Sequence, residues 1–314
     1  MEETDNLSSL LFIYEKFSQS EGKSQRHIEG VKSDVLKFDE FLGGSTDVKQ
    51  AKSEDLRDYI RYLQSKPKWL GHPTIKQEHG LLSSNSVASK IRNIRCFWSW
   101  MYKEHFIDDN QFSNVKPPKA TAREAVPLSP EEVSHLIKSI PLNDHRGYRD
   151  ACISALLYGV GSRVTETLNI LQENIHFDTG LVIVLGKGNK ERPLYMSAKV
   201  FKGLYKYQSL HRPKVTSKYF FIHKDGRPLS RTYFEHRMQE FVKKSGITTN
   251  CSPHVLRYSF AIQYLRNGGD ELTLQSILGH NTLDMTRRYV KLANRDIEGK
   301  LKKYSPAESL DVNF

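Results

Sequence analysis

Between Asp108 and Pro127 the chain loses the apolar rhythm that runs on either side, and this interruption constrains the fold more than any other feature. Asp108-Asp109-Asn110, Val115-Lys-Pro-Pro-Lys and Thr121-Ala-Arg-Glu-Ala-Val-Pro are rich in proline and charge. Proline fixes φ and removes a backbone donor, so such a stretch propagates neither helix nor strand. It reads as a linker over 108–126, dividing the 314 residues into two domains of ordinary size, 1–107 and 127–314.

The first domain reads as four helices. Leu7, Leu10, Leu11, Tyr14 and Phe17 recur at steps of three and four, the spacing of one helix face. Ile28, Val31, Val35, Phe38 and Leu42 repeat the pattern and stop at Gly43-Gly44, a plausible C-terminal cap. A third helix opens at Ser53, with Leu56, Ile60 and Leu63 on its apolar side, and 68–84 reads as a loop. The fourth runs from about Asn85, with Val87, Ile91, Ile94, Phe97, Trp98 and Met101 apolar. Its Lys90, Arg92 and Arg95 lie in a stretch without acids, from His79 to Lys103. Those cations form either a solvated face or a face laid in a DNA major groove.

The second domain is mixed. Ser129 and Pro130 open a helix as N-cap and first residue. Leu181–Leu185 and Glu191–Met196, joined by Gly186-Lys187-Gly188-Asn189-Lys190, read as a β-hairpin, with helical patterns on both sides. The expected fold class is therefore mainly α with a small β-sheet (α+β). Positive charge concentrates here: residues 1–120 carry 18 basic and 17 acidic residues, whereas 121–314 carry 29 and 19. From Arg192 to Lys224 there is no acid but eight bases: Arg192, Lys199, Lys202, Lys206, Arg212, Lys214, Lys218 and Lys224. Such a run suits a polyanion such as nucleic acid, although a solvated basic surface would look the same.

The sequence also speaks against several classes. No apolar run reaches the roughly 18 residues of a membrane span. The acidic start, Met1-Glu-Glu-Thr-Asp, does not suit a secretory signal. Cys96, Cys152 and Cys251 are three, far apart and without a CxxC, which speaks against a disulfide framework or zinc site and for a reducing cytoplasm. The hairpin tip Gly186–Lys190 lacks phosphate-loop spacing and precedes a strand.

The groups left to carry chemistry are basic, with one tyrosine: Arg163 in Gly161-Ser-Arg-Val-Thr-Glu, His254 and Arg257 in His-Val-Leu-Arg, and His280 and Tyr289 in Leu278-Gly-His through Arg-Arg-Tyr. Taken together, with Lys187 on the hairpin, they resemble the tyrosine recombinases, or phage-type integrases, nearest the Xer-like subgroup. Order and spacing fit that family: Arg163 to Lys187 is 24 residues and His280 to Tyr289 is nine. Glu166 matches its acidic residue beside the first arginine. One departure is Tyr258, where a second histidine is common, with a purely structural effect expected.

The resemblance implies an N-terminal four-helix core-binding (SAM-like) domain and a C-terminal catalytic domain. It also implies a site-specific recombinase that cuts and rejoins DNA through a covalent 3′-phosphotyrosine, independent of metal and ATP and needing no cofactor. Tyr289 would be the nucleophile, Arg163 and Arg257 the bidentate phosphate ligands, His254 the base, His280 a further donor, Lys187 the acid and Glu166 a support. Guanidinium forks suit the charge that builds on nonbridging oxygens. The expected partners are a double-stranded recombination site, further copies forming a tetramer on two sites, and an accessory or excision factor, in a nucleoid-associated cytoplasmic protein without membrane contact. The tail after Tyr289, with Ile297, Leu301 and Tyr304 in a stripe, would mediate assembly. A catalytically silent DNA-binding regulator and a nicking-closing type IB-like topoisomerase are the alternatives, and mobile-element integration and chromosome-dimer resolution stay open.

Overall fold

The computed structural model describes residues 6–44, 47–68, 80–119, 125–186, 191–279 and 282–293, with backbone alone at 284, 285, 288, 291 and 292. The chain divides into two compact units, 1–123 and 124–314.

The first unit contains the four expected helices: α1 (Leu7–Ser20), α2 (Gln25–Phe41), α3 (Ser53–Ser65) and α4 (Ser84–Lys103). Asn6, Ser24 and Ser83 cap the first, second and fourth through side-chain oxygens, each satisfying a donor the helix leaves over. After α2 the chain turns through Gly43 and Gly44 at φ +108° and +79°, which only glycine adopts cheaply. All the apolar positions anticipated from periodicity but Ile28, which is buried as well, join one core, with Phe38, Phe97, Trp98 and Phe112 in edge-to-face and tilted ring contacts. Each such side chain fully buried contributes about 1.5–3 kcal/mol of transfer free energy.

The linker expectation is corrected at its near end. Ile107, Phe112 and Val115 are buried in this core, and the Phe112 ring lies 4.6 Å from that of Trp98. Ser53 Oγ donates to the Gln111 carbonyl. Charge at Asp108 and Asp109 hid the apolar residues spaced around it. Of the loop 68–84, residues 69–79 lie outside the described residues; its ends are pinched together by backbone bonds from Lys68 to Gly80 and from Leu82 to Lys66.

The second unit runs α5 (Pro130–Lys138), α6 (His145–Gly159), α7 (Val164–Leu168), a 3₁₀ turn, β1 (Ile175–His176), β2 (Leu181–Leu185), β3 (Glu191–Tyr195), α8 (Ala198–Lys206), α9 (Arg231–Ser245), α10 (Pro253–Arg266), α11 (Glu271–Leu278) and α12 (Asp284–Ala293). Ser129 and Glu132 close a reciprocal capping box on α5. The three strands are antiparallel in the order β1-β2-β3, with Leu185 opposite Glu191 across the hairpin. The fold is thus mainly helical with one small sheet, as expected. Its larger core gathers around α6, and a smaller one joins α10, α11 and α12. A fully buried pair, Arg149 and Asp150, pins α6: Arg149 donates to the Ile222 carbonyl, and Arg237 from α9 reaches Asp150. Among the described residues no helix is long and apolar enough to cross a membrane.

Candidate active site

Three arginines from distant parts of the second unit gather around one carboxylate. Arg163 is the N-cap of α7, and Glu166 lies in the first turn of that helix. Glu166 Oε2 accepts from the Arg163 backbone N–H at 2.8 Å, while Oε1 accepts from Arg163 Nη1 at 2.6 Å. The short helix therefore aims its own arginine. Arg192 of β3 donates through Nη2 to the same Oε2 at 2.6 Å, and through Nη1 to the Ile277 carbonyl of α11.

Arg257 comes from the middle of α10 and is only 4% exposed. Its two terminal nitrogens donate to the Gly161 carbonyl at 2.6 Å and the Leu278 carbonyl at 2.7 Å. Gly161 has φ +64°, and a Cβ there would lie 2.3 Å from the Phe260 ring. Only glycine can turn its carbonyl to Arg257 at that point. Gly279 closes α11 at φ +60° and accepts from Arg163 Nη2 at 3.3 Å.

The electrostatics follow from this crowding. Burial, then the neighbouring Arg163, push Arg257 down to about 10, against which Glu166 acts. Arg192 is likewise lowered, first by burial. Both keep their protons at neutral pH, but each is held at a cost that an incoming anion would offset. Arg163 is the accessible member, with 37% of its side chain exposed.

His254 lies one turn before Arg257 on α10, just after Pro253, and is exposed. Tyr289 sits on α12 and is 4% exposed, near enough to Arg257 to influence its ionisation. Tyr258, expected to have only a structural place, packs its ring 5.4 Å from that of Tyr289 at 53°. Arg163, Glu166, Arg257 and Tyr289 thus come together from elements far apart in sequence. Lys187, His280 and the assembly tail lie outside the described residues. Among those described, no cluster of three or more His, Cys, Asp or Glu could hold a metal.

The DNA-contact expectations divide. Lys90 is tied to Asp34 at 2.7 Å, and Arg95 donates to the Phe112 and Ser113 carbonyls. Arg212 donates to the carbonyls of Tyr219 and Phe220. These three cations hold the fold, because backbone and carboxylate acceptors lie within their reach. Arg192, which the charge run places beside them, lies in the arginine cluster. Period-two alternation in β3 carried that signal, since Arg192 shares the face of buried Leu194. Arg92, Lys199, Lys202, Lys206, Lys214 and Lys218 are exposed, with Lys206 over the Tyr148 ring and Lys218 over the Tyr219 ring.

Comparison with known proteins bears directly on this geometry. The sequence pattern of the phage integrase family matches residues 127–295. Tyrosine recombinase XerC of Staphylococcus carnosus is 31% identical, over 87% of this chain and 89% of its own. Tyrosine recombinase XerD of Halalkalibacterium halodurans is 31% identical, over 86% of this chain and 97% of its own. A lambda integrase dimer bound to a core site shares the fold at a TM-score of 0.70 with 16% identity, over 90% of this chain and 95% of that one.

Proposed function

This chain belongs to the phage integrase family and is a site-specific tyrosine recombinase, and from that premise we propose that its arginine cluster receives the scissile phosphate of a double-stranded recombination site. The observation that carries the reading is the pairing of Arg163 and Arg192 with one carboxylate, with Arg257 near enough to feel the charges of both arginines, of Glu166 and of the buried Tyr289 phenol. A cluster with more cation than anion is suited to a phosphodiester whose nonbridging oxygens gain charge during attack.

The phenolic oxygen of Tyr289 attacks phosphorus, forming the tyrosine–phosphate bond as the bond to the 5′ oxygen breaks. A free phenol, with an ordinary pKa of about 10, is a poor nucleophile at neutral pH. His254 takes its proton, and Lys187 supplies one to the departing 5′ oxygen. Arg163 and Arg257 bind the nonbridging oxygens, Glu166 aligns Arg163, and His280 adds a donor. Attack by the 5′ hydroxyl of another strand reverses the step and conserves the bond, so no ATP is consumed.

Further copies acting together on two sites, joined by the tail from Lys300 to Phe314, extend this reading from one subunit to strand exchange. Exposed Arg92, Lys199, Lys202, Lys206, Lys214 and Lys218 would contact DNA phosphates. The test uses a duplex that the purified protein selects from a randomised pool, nicked beside the scissile step. Wild-type protein should form a covalent adduct on it. Tyr289→Phe should bind the same duplex and form none; an adduct with the Phe variant overturns the assignment.

A further inference from the structure

Arg192 enters the site from a different direction than the two phosphate-binding arginines, and its position differs in kind. It lies on β3, opposite Val184 of β2, with its side chain only 12% exposed. One nitrogen reaches Glu166 at the start of α7 and another reaches the Ile277 carbonyl near the end of α11. A Cβ on Gly279 would meet its guanidinium at 3.0 Å, so the turn after α11 leaves room for it.

The consequence turns on how the Glu166 carboxylate is divided. Its Oε1 serves Arg163 Nη1, while Oε2 serves Arg192 and the Arg163 backbone. Arg192 therefore occupies the oxygen that could otherwise close a second bond to the Arg163 guanidinium. A carboxylate accepting two parallel bonds from one guanidinium is the favoured pairing. In that arrangement Glu166 would cover the donors Arg163 needs for phosphate and cancel its charge.

We propose that Arg192 is a positioning residue, which keeps Glu166 shared between two guanidiniums and thereby keeps Arg163 presented to the scissile phosphate. The proposal rests on the reading of Arg163 as a phosphate ligand. Its anchor on the Ile277 carbonyl fixes β3 to α11 and so holds its guanidinium against Glu166.

Arg192→Gln is compared with wild type in single-turnover cleavage of the nicked duplex, alongside Glu166→Gln and the double variant. Loss of an outer partner that orients a functional group typically costs about 10–100-fold, a range known from metal sites, and a fall of that order in cleavage is expected here. Because Arg192 acts through Glu166, the double variant should be no slower than the slower single one. A third readout replaces one nonbridging oxygen at the scissile position with a methyl group. That linkage is neutral, so a defect in presenting Arg163 should shrink on it, whereas a defect in folding should not. Arg192→Lys, which keeps the charge and loses the fork, guards against a Gln variant that fails to fold; it should fall between wild type and Gln.

Additive losses in the double variant, equal losses on the charged and neutral linkages, or unchanged cleavage by Arg192→Gln each overturn the proposal. Failure of the underlying reading shows itself separately, as an Arg163→Ala variant that cleaves the charged duplex at the wild-type rate.

Discussion

Each unit of the molecule buries a carboxylate between two donors, and the two are finished differently. In the first unit Asp34 of α2 accepts from Lys90 at 2.7 Å and from Asn93 at 2.8 Å, both on α4. One anion meets one cation and one neutral amide, and the charge closes. In the second unit Glu166 accepts from two arginines, and a third, Arg257, lies near enough for burial and those two charges to push it down. There the charge stays open on the positive side. An ion cluster that only holds helices together gains nothing from surplus charge, which burial makes expensive. A cluster built for an anion needs that surplus. The difference also explains why counting bases misleads: Lys90 and Arg192 contribute equally to net charge, yet one is balanced and the other sits in an unbalanced site.

The comparison breaks most sharply in cleavage. Arg163→Lys and Arg257→Lys each keep a charge but lose the planar fork. Single-turnover cleavage should fall by about 10²–10³, the usual cost of one preorganised donor. Affinity for the selected duplex should change little, because it is spread over many phosphate contacts. Equal losses in binding and cleavage would mean that the second cluster, like the first, is only structural.

The first cluster should answer in stability. Asp34→Asn leaves the half-buried Lys90 ammonium without its carboxylate and should cost about 1–3 kcal/mol in denaturant unfolding. Cleavage per folded molecule should not change. A cleavage defect at full folding would show that the first unit's cluster reaches the chemistry.

The smallest effect is a control within the second unit, away from the arginines. Asp144 caps α6 by accepting from the Gly147 N–H at 2.8 Å, and that bond holds its carboxyl below the usual range, with Arg146 assisting. Asp144→Ala should cost about 1 kcal/mol at neutral pH. A depressed carboxyl contributes fully above its unfolded pKa of about 3.9 and loses its contribution as pH falls through the folded value. Melting curves of wild type and variant should therefore differ at neutral pH and converge in strong acid. A constant gap would mean that the cap acts by shape and not as a carboxylate.

These contrasts bear on what could be read in advance. The four helices of the first unit followed from apolar residues at steps of three and four, because burial of a helix face is a local property of sequence. The hairpin followed likewise from a short β-branched apolar run, Leu181–Leu185, joined to Glu191–Met196 by a glycine-rich segment. The end of the first unit did not. Phe112 and Val115 lie in a charged, irregular stretch with no period, and only packing against Trp98 reveals them as core. Tyr258 has the structural place expected of it, but nothing local showed that the ring it packs against is that of Tyr289.

The sequence by itself determined the division into two units, the helices and hairpin, and the residue types able to handle a phosphodiester, since each is written in composition, period and order along the chain. Which charges meet was decided by the tertiary structure. Arg192 reaches Ile277 across 85 residues, Arg257 reaches Gly161 across 96, and Arg163 reaches Gly279 across 116. Over such separations the sequence states only that a cation exists. Whether it is neutralised, as Lys90 is by Asp34, or held in surplus, as the three arginines are around Glu166, depends on which acceptors the packed helices bring within about 3 Å, the length over which a hydrogen bond forms.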